Sequence, residues 1–142
     1  MHMLARTGLV VVALMLGAGP VVAAADVVAV VANKSSITRL TPRQVEDIFL
    51  GRINHLESTA TLVPLDLPEG SPARAEFYAT FGGKSAAQLK AHWSRLIFTG
   101  RGQPPAVVSD IETARKRVAT NPNAIAYMDR SAVDASIRIV AP

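Results

Sequence analysis

Apolar and polar positions alternate along the chain in blocks that predict strands and helices in turn. Residues 27–32 form an unbroken apolar run, the pattern of a buried strand. The polar group Asn33-Lys34-Ser35-Ser36 breaks it. Thr41-Pro42-Arg43-Gln44 predicts a helix start, with Thr41 as N-cap, proline in the first turn and Gln44 reaching back as a capping box. Val45, Ile48 and Phe49 then share one face, and Gly51 supplies a stop. Residues 60–67 predict a second strand, which Pro64 assigns to an edge or a bulge because proline brings no N–H to a ladder.

A helix from Ser71 to about Phe81 follows, closed by Gly82-Gly83. Ser85 and Gln88 form a second capping box, opening a helix with Leu89, Trp93, Leu96 and Ile97 on one side. Residues 99–105, rich in glycine and proline, predict a loop. Ser109-Asp110-Ile111-Glu112 reads as a third box, and Asn121-Pro122 ends its helix. Residues 124–128 and 136–140 predict two further strands. Strands alternating with helices indicate an α/β domain with a mixed, mainly parallel sheet flanked by helices.

Residues 1–25 do not fit that alternation. Arg6 precedes a charge-free apolar stretch from Gly8 to Gly17, and Val22-Ala23-Ala24-Ala25 offers small residues for cleavage, so the segment reads as a signal peptide. The run is short for a membrane span and is interrupted by Gly17, Gly19 and Pro20. Residues 26–142 then form one domain, exported to the periplasm or secreted, and soluble once the leader is removed. The chain has no cysteine, so disulfides, thiol chemistry and a lipid-modified cysteine are excluded. Its formal charge of +4 falls to +3 without Arg6, a mild excess that favours anionic partners. Aromatics make up 5% and no basic–aromatic stripe appears, which argues against nucleic acid.

Catalytic signals are weak. His2, His55 and His92 are scattered, no His-x-x-x-His pair suggests a metal, and no serine sits in a Gly-x-Ser-x-Gly elbow. A binding protein without catalysis or cofactor is the expectation. Its most informative segment is Ser71-Pro72-Ala73-Arg74, at the start of a helix. Free N–H groups and the helix dipole favour an anion there, whereas an arginine has the wrong sign for the dipole alone. Arg74 therefore implies a bound anion, a neighbouring carboxylate or a solvated position. Ser36, at a strand end, and Arg101, between Gly100 and Gly102, are further candidates for anion contact. No P-loop lysine follows Gly102.

Three segments resemble phosphate ABC-transporter substrate-binding proteins, in the same order across most of residues 27–128. The first is Leu40-Thr41-Pro42-Arg43-Gln44-Val45-Glu46-Asp47-Ile48-Phe49-Leu50-Gly51-Arg52. The others are Phe98-Thr99-Gly100-Arg101-Gly102-Gln103-Pro104-Pro105 and Asn121-Pro122-Asn123-Ala124-Ile125-Ala126-Tyr127. The resemblance implies a type II periplasmic-binding-protein fold holding a small oxyanion, phosphate foremost, in ABC-type uptake. The residues after removal of the leader suffice for about one lobe. The family's serine-glycine-threonine ligand turn is here Ser71-Pro72-Ala73, which loses an N–H and a hydroxyl.

The remaining contacts are the Ser71 hydroxyl, the Ala73 and Arg74 amides and the Arg74 guanidinium, with Ser36 and Arg101 as weaker ones. Such an open half-site implies millimolar affinity, about −4 kcal/mol, unless a homodimer or a membrane partner closes it. The alternative is a ligand-free interaction module on the same fold, serving a sensor or transporter.

Overall fold

In the computed structural model, residues 26–57 and 60–142 are described; the leader reading lies outside the described residues. Strand β1 (Val27–Ala32) is followed by α1 (Pro42–Phe49), β2 (Val63–Asp66), α2 (Pro72–Gly82) and α3 (Ala86–Phe98). Then come β3 (Ala106–Val107), α4 (Ile111–Thr120), β4 (Ala124–Asp129), a 3-10 turn (Arg130–Ala132) and β5 (Ile137–Ala141). The strands form one sheet in the order β3-β2-β4-β1-β5. β2 is parallel to β3 and to β4, while β1 is antiparallel to both β4 and β5. Four strands therefore point one way and β1 alone runs against them, the mixed, mainly parallel sheet read from the sequence.

All six residues of β1 are buried, as an unbroken apolar strand covered on both faces requires. Tyr127 of β4 stacks on Phe77 of α2 at 3.9 Å between ring centroids, and Phe49 of α1 meets Phe77 edge-on at 4.7 Å. These rings join α1 and α2 to the centre of the sheet, and pairs of this kind add about 0.5–1.5 kcal/mol beyond their burial.

Both capping boxes at Thr41/Gln44 and Ser85/Gln88 are closed by reciprocal bonds of 2.8–3.2 Å. The start of α4 shifts by one residue: Asp110, not Ser109, is the N-cap, and its carboxylate accepts from the Thr113 N–H at 2.7 Å. Pro64 lies in a strand flanked on both sides, not at an edge. Val63 donates to Asn123 on the β4 side, so alternation turns the Pro64 nitrogen the other way, where β3 pairs only from Leu65 onward. No ladder bond is lost. β3 itself was not anticipated, since two exposed residues after Pro104-Pro105 carry no strand pattern.

Gly51 carries the stop after α1 at φ +71°, and an added Cβ would sit 2.9 Å from Cη2 of Trp93. Gly51→Ala is therefore expected to destabilise the fold by about 1–2 kcal/mol from the left-handed backbone alone, with the ring displacement added. A lowered urea midpoint at unchanged slope checks it.

Candidate anion-binding site

β2 ends at Asp66, and the turn 67–70 delivers the chain to Ser71, with Gly70 at φ +89° and the Ser71 N–H bonded to Pro68 O at 3.0 Å. Ser71 occupies the N-cap of α2, yet its hydroxyl makes no capping bond. The hydroxyl and the first-turn amides are left for another acceptor.

Beneath this turn lies a buried polar cluster. Asp66 is 3% exposed. One carboxylate oxygen accepts from the Leu67 N–H at 2.9 Å and from the Tyr127 hydroxyl in a close contact; the other accepts from the Tyr78 hydroxyl at 2.8 Å. The Tyr127 oxygen also accepts from the Leu67 N–H at 3.1 Å. Burial first, and then the Asp66 charge, push both tyrosine hydroxyls well above the usual phenol range, so both remain protonated donors.

Arg74 completes the cluster. Its Nε stands 3.5 Å from Asp66 Oδ1, and its guanidinium carbon lies 5.3 Å from the centre of the Tyr78 ring. Of the three readings of Arg74, the neighbouring carboxylate is thus present, and the side chain is only 19% exposed. Arg74 nevertheless lines two cavities. One, of about 140 Å³, also has Gly70, Ser71, Pro72, Tyr78 and Lys84 on its wall. The second, of about 340 Å³, is bounded by Lys90, Trp93 and the prolines at 104 and 105.

The structure brings Ser71 and Arg74 together. Ala73 packs toward the core and does not line that cavity; only its amide belongs to the same first turn. Ser36 lies elsewhere: β1 runs against β2, and its last residues pair with the start of β4, so the segment after β1 leaves at the end of the sheet opposite Asp66. Arg138 bonds the carbonyls of Ser35 and Ile37 there, holding that segment as structure. Arg101 lines a third cavity with Asn54, Val63 and Pro64, at the beginning of β2.

Sequence reasoning missed Lys84, Asp66 and the two tyrosines. Asp66 had a signal, a single carboxylate between Leu65 and Leu67 in an apolar strand. Lys84 had none; the left-handed Gly83 turns the chain so that Lys84 follows α2 directly. His92 meets Leu50 O at 2.9 Å, a structural contact, and His55 is exposed beside Asn54. Among the described residues no cluster of His, Asp and Glu suits a metal, and no helix is long and apolar enough to cross a membrane.

No protein-family model matches the chain, and no curated protein sequence does. Solved structures do match in fold. A phosphate ABC transporter substrate-binding protein of Clostridium perfringens, with phosphate bound, superposes with a TM-score of 0.65 at 22% identity, over 82% of this chain and 44% of that one. An ABC-type phosphate transport receptor of Vibrio cholerae gives 0.65 at 18% identity, over 82% and 45%. PstS of Borrelia burgdorferi gives 0.62 at 12% identity, over 82% and 47%. The fold is that of phosphate-transporter substrate-binding proteins, and the chain spans less than half the length of those relatives.

Proposed function

We propose that this chain is an exported module of the substrate-binding-protein type that takes a small oxyanion, phosphate foremost, at the opening of α2. One observation carries the reading: the uncapped Ser71 hydroxyl, Arg74 and Lys84 share the wall of one small cavity. Two cations against one buried carboxylate leave a net positive site at the positive end of a helix dipole. Arg74, whose Nε stands 3.5 Å from Asp66 Oδ1 without a hydrogen bond, would offer its guanidinium N–H groups to the anion. Phosphate would accept from these, from Ser71 and from Lys84. Pro72 contributes no N–H, so affinity stays in the millimolar range, about −4 kcal/mol. A transporter or sensor partner in the periplasm, with a role in ABC-type phosphate uptake, fits the fold of the relatives.

The test is a melting titration with phosphate, sulfate and molybdate. At roughly 100-fold excess over Kd, a ligand of the folded state adds about 2.7 kcal/mol. Lys84→Ala is expected to leave the ligand-free midpoint unchanged and to reduce the phosphate-induced climb. A flat titration with all three anions overturns the reading. The pairing of Arg74 with Asp66 favours the second reading, a ligand-free interaction module, because it removes part of the charge an anion would use.

A further inference from the structure

Helix α3 is attached to the rest of the molecule by a narrow stripe. Only Leu89 and Trp93 are buried, with Leu96 half-buried beside them. Its outward side ends in Ile97, 55% exposed, and Phe98, 92% exposed, although the sequence pattern had placed Ile97 with the buried positions. Between α3 and β3 runs a groove of about 340 Å³ walled by Trp93, Ile97, Pro104, Pro105 and Val107, with Lys90 and Arg74 on its polar side and Glu69 as its one unpaired acid.

The groove wall itself is balanced, with Asp66 beside Arg74 and Glu69 against Lys90, whereas α3 and the loops that flank it carry only positive charge. Residues 77–109 contain Lys84, Lys90, Arg95 and Arg101 and no aspartate or glutamate. None of those four cations is in an ion pair among the described residues. β3 adds a second feature, because it is the edge of the sheet. Val108 donates inward to Asp66 O at 2.9 Å, so by alternation the Val107 N–H and C=O point outward. Val107 is itself 61% exposed. An open strand edge beside an apolar groove is an invitation to strand addition.

We infer that the groove between α3 and β3 receives an extended acidic–apolar segment of a partner protein, added as a strand along β3. Apolar side chains of the segment cover Ile97, Phe98 and Val107, and its carboxylates face Lys90 in the groove and Arg101 in the loop that leads into β3. A second copy of this chain is disfavoured, since a two-fold contact through this face sets like charges against each other. A flat bilayer would leave the recessed groove and the strand edge unfilled. The inference does not rest on the anion reading.

The experiment is an amide NMR titration with a short peptide of alternating leucine and glutamate, against the same peptide with lysine for glutamate. The acidic peptide is expected to shift the amides of 90–98 and 106–108 saturably, and the basic one to leave them in place. Phe98→Ser and Lys90→Glu are each expected to weaken binding by about tenfold or more with an unchanged melting temperature. Val107→Pro, which removes the outward N–H together with the valine side chain on the groove wall, is expected to abolish it. No saturable shift, equal shifts with both peptides, or shifts confined to the Ser71 cavity overturn the inference. So does a Phe98-dependent dimer, or Phe98-dependent binding to phosphatidylglycerol vesicles that excess acidic peptide does not displace.

Discussion

Replacing Asp66 with alanine is expected to destabilise the protein by about 3–5 kcal/mol, the cost of breaking a buried charge pair from one side. The carboxylate accepts from the Tyr78 and Tyr127 hydroxyls and the Leu67 N–H, and neutralises Arg74. Its removal leaves two buried hydroxyls without their acceptor and a largely buried guanidinium without a counter-charge. With marginal total stability, a loss of that size removes a large part of what holds the domain together.

Asp66→Asn keeps one acceptor oxygen and gives a smaller loss. The double variant Asp66→Asn with Arg74→Met is expected to recover stability relative to Asp66→Asn alone, because the guanidinium no longer needs a charge partner. Urea unfolding of the parent, Asp66→Asn, Arg74→Met and the double variant measures the coupling. A loss below about 1 kcal/mol for Asp66→Ala, the level of an exposed pair, would show that the cluster is not held as described. Phosphate titration of the same variants separates roles: if Arg74 serves only Asp66, the double variant binds phosphate as well as the parent.

Alkaline pH should unfold the protein steeply. The chain has two tyrosines, Tyr78 and Tyr127, and both are buried on Asp66 with their ionisation pushed upward. In the unfolded chain they titrate near the ordinary phenol value of about 10. Below that pH both states keep the two protons, and the full stabilisation is present. Above it the unfolded chain releases protons that the folded chain retains, so stability falls as pH rises. The slope is about 1.4 kcal/mol per pH unit for each tyrosine, about 2.7 for both. Tyrosinate absorbance and loss of ellipticity should therefore appear together in one cooperative step. Tyr78→Phe should halve the slope. Tyrosinate forming while ellipticity stays native would falsify this account.

Much of the fold was legible because local signals agreed with tertiary ones. The capping residues of α1 and α3 act within one turn of backbone, so Thr41 with Gln44 and Ser85 with Gln88 are readable without knowing the fold. The apolar run of β1 is readable because burial on both faces demands it. Where a side chain's environment comes from distant residues, the pattern failed. Ile97 has helix spacing with Leu89 and Trp93 yet is exposed, because no neighbouring element covers that side of α3. β3 is too short to show a period. Pro64 was assigned to an edge, but its missing N–H falls at a level where β3 has not yet begun.

The candidate site divides in the same way. Sequence alone determined the α/β order, the opening of α2 at residues 71–74 and the wrong-signed arginine in its first turn. Each of these depends on residues a few positions apart. Tertiary structure decided what Arg74 faces. Asp66 arrives by the turn between β2 and α2, Tyr127 from a strand far along the chain, and Lys84 through the left-handed turn after α2. Tertiary structure also separated Ser36 and Arg101 from that site: strand direction sends the segment after β1 to the opposite end of the sheet, and the loop after α3 sets Arg101 at the beginning of β2. Charge pairing and cavity walls depend on distances through space, and spacing along the chain does not encode them.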